Sequence, residues 1–306
     1  MKKFYLMIFA VVTLAGMLAI SGCKKKETYT VTFNANGGTG TMATQTFTEG
    51  EAQALTRNAF TYDGYTFTGW NTVQGGSGAS YTDGQTITAT ADMTLYAQWT
   101  LNNPLNGHEW VDLGLPSGTK WATCNVGSTT PEGYGDYFAW GETTPKETYN
   151  WSTFRYCNGD YNTLTKYCNN ADYGNNGFTD ALTTLEPSDD AATANWGTGW
   201  RMPTKEEFVE LKNNCTVTWS TQSGVNGCLF TGPNGNSIFL PAAGYRNNDS
   251  ELLDAGSDGG YWSSSLHSDY SCSAWNLGIP ISGNYGMYPS YRYRGRVVRA
   301  VCQSQN

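Results

Sequence analysis

Residues 62–70 read Tyr62-Asp63-Gly64-Tyr65-Thr66-Phe67-Thr68-Gly69-Trp70. From Tyr65 to Thr68 aromatic and polar side chains alternate, the period of a half-buried strand rather than of a helix. Upstream, Tyr29-Thr30-Val31-Thr32-Phe33 has the same alternation with β-branched residues, and Asn34-Ala35-Asn36-Gly37-Gly38 follows as a turn. Thr46-Phe47-Thr48, Thr86-Ile87-Thr88 and Leu95-Tyr96-Ala97-Gln98-Trp99 read as further short strands, and Gly75-Gly76-Ser77-Gly78 as a flexible loop. Residues 29–100 therefore form one strand-rich module. Trp70 and Trp99 are expected in its core, because so small a domain needs its large aromatics for packing.

Three of these stretches, Val31-Thr32-Phe33-Asn34-Ala35-Asn36-Gly37-Gly38, Gly64-Tyr65-Thr66-Phe67-Thr68-Gly69-Trp70 and Leu95-Tyr96-Ala97-Gln98-Trp99, resemble the Listeria–Bacteroides repeat of internalin-type surface proteins. The spacing fits over the whole unit. The resemblance implies a small β-grasp-like module, present here in one copy, that acts as a stalk or adhesive spacer.

Leu101-Asn102-Asn103-Pro104-Leu105-Asn106-Gly107 has the turn chemistry of a linker. With few apolar residues, it predicts little interface between its neighbours. A second module spans 108–303. Strands are expected at 109–115 and 119–125 around Pro116-Ser117-Gly118. A short helix is expected at 189–196, capped by Ser188 and ended by Gly197. The clearest helix begins at Thr204, whose hydroxyl and Glu207 form a capping box, with Phe208 and Leu211 as its apolar stripe. Pro233-Asn234-Gly235-Asn236 turns a strand at 227–231 into one at 237–240. The last strands are read at 260–265, 274–277 and 296–301.

Val111-Asp112-Leu113-Gly114-Leu115-Pro116-Ser117-Gly118, Trp200-Arg201-Met202-Pro203-Thr204, Leu240-Pro241-Ala242-Ala243-Gly244-Tyr245-Arg246, Tyr261-Trp262-Ser263-Ser264-Ser265 and Arg296-Val297-Val298-Arg299 together resemble the Fibrobacter succinogenes major paralogous domain of Bacteroidetes lipoproteins. The resemblance implies a C-type-lectin-like mixed α/β domain, from the branch that includes formylglycine-generating enzymes. The expected class for the whole chain is α+β.

The N-terminus reads as an address. Lys2 and Lys3 precede an apolar run from Phe4 to Ile20, which ends in Ile20-Ser21-Gly22-Cys23. This resembles a bacterial lipoprotein signal with its lipobox. It implies a signal peptide at 1–22, lipidation at Cys23, a tether at 23–28 and an outer-membrane lipoprotein exposed to the periplasm or the cell surface. The alternative is a transmembrane anchor, for which the run is about long enough.

Composition narrows the function. Among 306 residues, 18 Lys+Arg face 26 Asp+Glu, a net charge of −8. Residues 1–26 hold five Lys and no acid, so the remainder carries 13 − 26 = −13. Nucleic-acid binding is disfavoured, because it needs a basic surface. With 14% aromatics the chain is no disordered segment. Catalysis is poorly supplied. The chain has two His, His108 and His267, and no nucleophile elbow. Ser117 and Lys120 match S-x-x-K, but on a strand turn rather than at a helix start. The thiols of Cys272 and Cys302 lack a pattern matching the formylglycine-generating enzymes. No enzyme, cofactor or metal is expected. Seven cysteines remain besides Cys23, an odd number. A Cys157–Cys168 bridge and buried reduced thiols are the two readings of that set. Asp249, Glu251, Asp254 and Asp258 form an acidic loop that reads as solvated, with calcium as the alternative.

Residues 266–293 are rich in Tyr, Ser, Asn and Gly, the residues from which binding loops take contact area at low entropy cost. His267, Tyr270, Tyr285, Tyr288 and Tyr291 are the candidate ligand-binding residues, on a loop held between strands at 261–265 and 296–301. The expected function is an envelope-anchored binding or adhesion protein for a glycan or a surface protein. The alternatives are a structural envelope or appendage component and a formylglycine-generating-type enzyme.

Overall fold

The computed structural model describes residues 25–303 apart from 63, 249 and 250. Cys23 and the signal segment lie outside the described residues. So does Asp249.

The first module contains β1 (Thr28–Asn34), β2 (Gln45–Thr48), β3 (Gln53–Ala54), β4 (Tyr65–Asn71), β5 (Ser80–Tyr81), β6 (Thr86–Ile87) and β7 (Met93–Leu101). Five of them form one sheet in the order β2-β1-β7-β4-β5, with β1 and β7 parallel at its centre; β3 and β6 pair separately. Alternation points Val31, Phe33, Leu95 and Ala97 into the core. Strict alternation would turn Trp70 away from Phe67. A bulge between Phe67 and Gly69 resets the parity, so Trp70 faces Ala97 and packs on Phe33 and Phe67 with centroids 4.9 and 5.0 Å apart. Gly69 has φ +147°, and a Cβ there would stand 2.8 Å from the Tyr81 carbonyl oxygen, so the bulge requires glycine. Trp70 is buried. Trp99 is half-buried against the same core and donates to the Ala35 carbonyl.

The remainder holds β8 (Trp110–Asp112), β9 (Thr119–Ala122), α1 (Ala191–Trp196), α2 (Lys205–Asn214), β10 (Thr216–Gln222), β11 (Val225–Thr231), β12 (Ser237–Pro241), β13 (Tyr245–Asn247), β14 (Glu251–Leu253), β15 (Gly260–Leu266), β16 (Ser273–Gly278), β17 (Gly286–Tyr291) and β18 (Val301–Gln303). The sheets are small: β18-β9-β8, β10-β11-β12, β13-β14 and β15-β16-β17. Helix α2 lies against the last of these. The expected capping box at its start is present, with Thr204 and Glu207 each bonded to the other's backbone. Helix α1 is capped by Asp190 rather than Ser188, and Gly197 ends it.

The expected α+β class does not hold. The described residues contain eighteen strands against two α-helices of six and ten residues, and the chain is mostly β. The repeat module has no helix among its described residues, so the helix of a β-grasp is missing from it. The second module is not a mixed α/β layer structure either; loops join its small sheets. The reason is compositional. Thr, Tyr, Asn and Gly dominate between turn signals, and only 191–196 and 205–214 concentrate Ala, Glu, Lys and Leu.

A domain built of loops must satisfy many buried carbonyls. Here aromatic and arginine side chains do so. Trp140 Nε1 donates to Ser263 O (2.7 Å), Trp262 Nε1 to Phe138 O (2.8 Å) and Tyr261 Oη to Pro241 O (2.6 Å). Arg299 is fully buried and donates to the carbonyls of Ala122, Thr123 and Phe239 and to Asn125 Oδ1. Residues 296–300, expected as strand, join the domain through isolated bridges and these side chains, and only β18 is regular.

The linker is not free. Leu105 is buried in the second core, and Trp200 Nε1 donates to its carbonyl. A Cβ on Gly64 would stand 2.5 Å from Leu105 Cδ1, so the two modules touch at that leucine. Tyr65 Oη also donates to Gln303 O at 2.7 Å. One Leu in a polar run is enough, because Gly64 and Gly199 leave it room. His108 is partly buried and stacks on Trp196 at 4.0 Å.

Candidate functional site

Residues 266–293 are not one loop. Strands β16 and β17 occupy much of the segment, and β17 is an edge strand. Pro289 hides it from a strand reading. It is tolerated because Trp275, its partner, uses its carbonyl toward Ser263 of β15; this leaves the Pro289 nitrogen facing the open edge.

Tyr291 lies three positions after Tyr288, an odd step, so the two face opposite sides of β17. Tyr291 faces a groove of about 470 Å³, lined also by Tyr161, Tyr173, Tyr270, Cys272 and Arg294. Tyr161, Tyr270 and Tyr291 are about half exposed (47%, 52% and 46%). Tyr288 lines a separate, smaller depression with Asp258 and Arg296, its hydroxyl donating to Asn284 O. Tyr285 is half-buried against the main core; burial and Cys228 push its hydroxyl up to about 12. Of the five candidates, then, Tyr270 and Tyr291 meet in one groove, and Tyr285 and Tyr288 lie elsewhere.

His267 supports the groove from beneath. It is buried, stacked between Tyr270 (5.1 Å) and Trp275 (4.5 Å). Its Nδ1 accepts from the backbone N–H groups of Asp269 and Tyr270. These bonds require neutral imidazole. Burial lowers its pKa from 6.5, with Lys205 adding to that direction and Asp269 opposing it.

Tyr161 and Tyr173 come from a distant segment that the sequence reading did not select. Residues 157–175 fold around buried Leu164, whose N–H donates to Tyr173 O and whose carbonyl accepts from Asn175 N. This loop docks on 268–271: Asn169 Nδ2 donates to Ser268 O, and Ser271 Oγ to Asn169 Oδ1 (2.6 Å). Buried Arg292 clasps both walls, donating to Lys166 O and Tyr167 O on one side and Ser271 O on the other. Its guanidinium lies 4.9 Å from the Trp140 ring centroid. The aromatic richness of 157–173 was the signal available in the sequence.

The seven described cysteines are all free thiols. Cys157 and Cys168 form no bridge; each donates to a nearby carbonyl, Trp151 O and Asn170 O. Ser117 bonds Glu210, and Lys120 pairs with Asp112, so the S-x-x-K residues serve different contacts. Among the described residues no cluster of His, Cys, Asp or Glu is arranged to hold a metal ion. In the acidic loop, Asp258 is partly buried and accepts from Gly259 N. No described helix is long and apolar enough to cross a membrane.

The comparisons bear on the first module. It is a small β unit, and residues 29–98 are a Listeria–Bacteroides repeat domain. Over 78 residues the chain is 42% identical to a protein of Evansella cellulosilytica named as a Gly-rich membrane protein. That match takes in 24% of this chain and spans only 9% of the relative's length. No solved structure matches.

Proposed function

We propose that this chain is an envelope-anchored lipoprotein whose second module binds glycan in the tyrosine groove. The lipid sits on Cys23, and the repeat domain serves as spacer. Residues 108–303 are a recognition domain of the Fibrobacter succinogenes major paralogous type, placed at the outer membrane. The lipobox-like Ile20-Ser21-Gly22-Cys23 and the membrane-protein name of the relative support the location. The groove carries the binding role. Tyrosines from two segments about 100 residues apart converge on one open surface over a hydrogen-bonded floor. Their ring faces offer flat apolar area and their tips offer hydroxyls. No catalytic step belongs to this reading.

The test is a glycan array probed with the full-length protein. Retention of a saccharide set, lost in Tyr270→Ala and Tyr291→Ala at unchanged melting temperature, is the expected result. Retention that survives both substitutions moves the site off the groove.

A further inference from the structure

We infer that the groove's saccharide is acidic, with a uronate carboxylate received by Arg294. The inference rests on the glycan-binding reading above and names the ligand class.

Arg294 lines the groove beside Tyr291. Among the described residues its guanidinium makes no ion pair and no hydrogen bond. Its contacts are ring faces, Tyr245 at 5.0 Å and Tyr291 at 5.8 Å, and its Nε is buried without a partner. The other arginines of this stretch are placed differently. Arg292 and Arg299 donate to backbone carbonyls, and Arg296 to Ser290 Oγ. Elsewhere several cations near the surface have acids: Lys146 has Glu142, Lys166 has Glu186 and Asp189, and Arg201 has Glu207, while Arg155 and Lys205 lie over the Tyr156 and Trp275 rings. Among the described residues no carboxylate lines the groove. A partly buried guanidinium with free donors, in a chain whose residues 27–306 carry 13 − 26 = −13, is thus left for an external anion. Its planar fork matches a carboxylate through two parallel N–H···O bonds.

The remaining lining suits a sugar better than a peptide. The hydroxyls of Tyr161, Tyr173, Tyr270 and Tyr291 have no hydrogen-bond partner among the described residues and are open to sugar hydroxyls. An extended peptide would add to the edge of β17, but Pro289 removes a donor from that edge. The groove volume falls in the range of about 300–1,000 Å³ usual for small-ligand sites, room for a short oligosaccharide.

The experiment measures affinity of the full-length protein for an oligogalacturonate, its methyl ester and a neutral oligosaccharide of equal length. The expected result is roughly tenfold to a hundredfold tighter binding of the acid than of the ester, the span of a charge-assisted hydrogen bond. Arg294→Gln should erase that preference, so that acid and ester bind alike, and Arg294→Lys should keep part of it. Equal binding of acid and ester by the unmutated protein overturns the inference, whatever the variants do. If the neutral sugar binds equally and the binding depends on Tyr270 and Tyr291, this inference fails and the glycan-binding reading stands. If no saccharide contact depends on those tyrosines, both fail.

Discussion

The two modules solve burial in different ways. The repeat module is built on one five-stranded sheet whose core comes from alternating strand positions, Val31, Phe33, Leu95 and Ala97, with Trp70 brought in by a bulge. The second module spreads its chain over loops and small sheets, and its interior is held by side chains that donate to carbonyls far along the sequence. Trp70 illustrates the contrast: its Nε1 has no partner, whereas Trp262 Nε1 bonds Phe138 O. In the first module apolar contact dominates, with Trp99 bonding the Ala35 carbonyl and buried Asn71 the carbonyls of its own loop. In the second, polar groups within the core fix where each loop runs, and the loops in turn build the groove.

The contrast breaks most visibly at Arg299. Replacing it with Ala leaves three carbonyls and Asn125 Oδ1 without their donor. It should cost the second module more than about 4 kcal/mol or prevent its folding. Chemical denaturation followed by tryptophan fluorescence should show the second module's transition moved to lower denaturant or lost. Next in size is Leu105→Ala, expected to cost about 3 kcal/mol, the usual scale for a buried Leu. Because Leu105 also touches Gly64, the substitution should separate the melting of the two modules in calorimetry. An unchanged thermogram would mean that the linker contact contributes nothing.

Smaller still is the tryptophan comparison. Trp262→Phe and Trp70→Phe remove similar volume, but only the first orphans a carbonyl. Trp262→Phe should therefore cost about 1–2 kcal/mol more in urea titration. Equal costs would remove the polar-staple account of the second module.

The smallest effect is the pH response at His267. Its folded pKa is lowered below 6.5, so the unfolded chain takes the proton first. The stability is present above 6.5 and is lost as pH falls through the folded value. Melting temperatures between pH 7.5 and 5 should fall more for the natural protein than for His267→Asn, which keeps an acceptor toward Tyr270 N without a titrating ring.

What could be read from sequence follows the same division. The strands of the repeat module and the Thr204–Glu207 box were legible because their determinants lie within a few residues of one another. The contacts that build the groove span the chain: Arg292 reaches Lys166 O across 126 residues, and Asn169 reaches Ser271 across 102. No local period reports such pairs. Pro289 concealed β17, and with it the opposite facing of Tyr288 and Tyr291. His267 looked like a ligand residue because it sits among tyrosines, yet its ring is used to hold Tyr270.

The most direct measurement compares three tyrosines on one glycan ligand. Isothermal titration of the full-length protein should show Tyr270→Ala and Tyr291→Ala weakening binding by roughly 30-fold or more, the loss of about 2 kcal/mol that marks an anchor. Tyr288→Ala, on the opposite side of the same strand, should stay within about twofold, since truncating a side chain outside the contact costs little binding. Loss of binding in Tyr288→Ala, with Tyr270→Ala and Tyr291→Ala unaffected, would contradict the groove as the binding site.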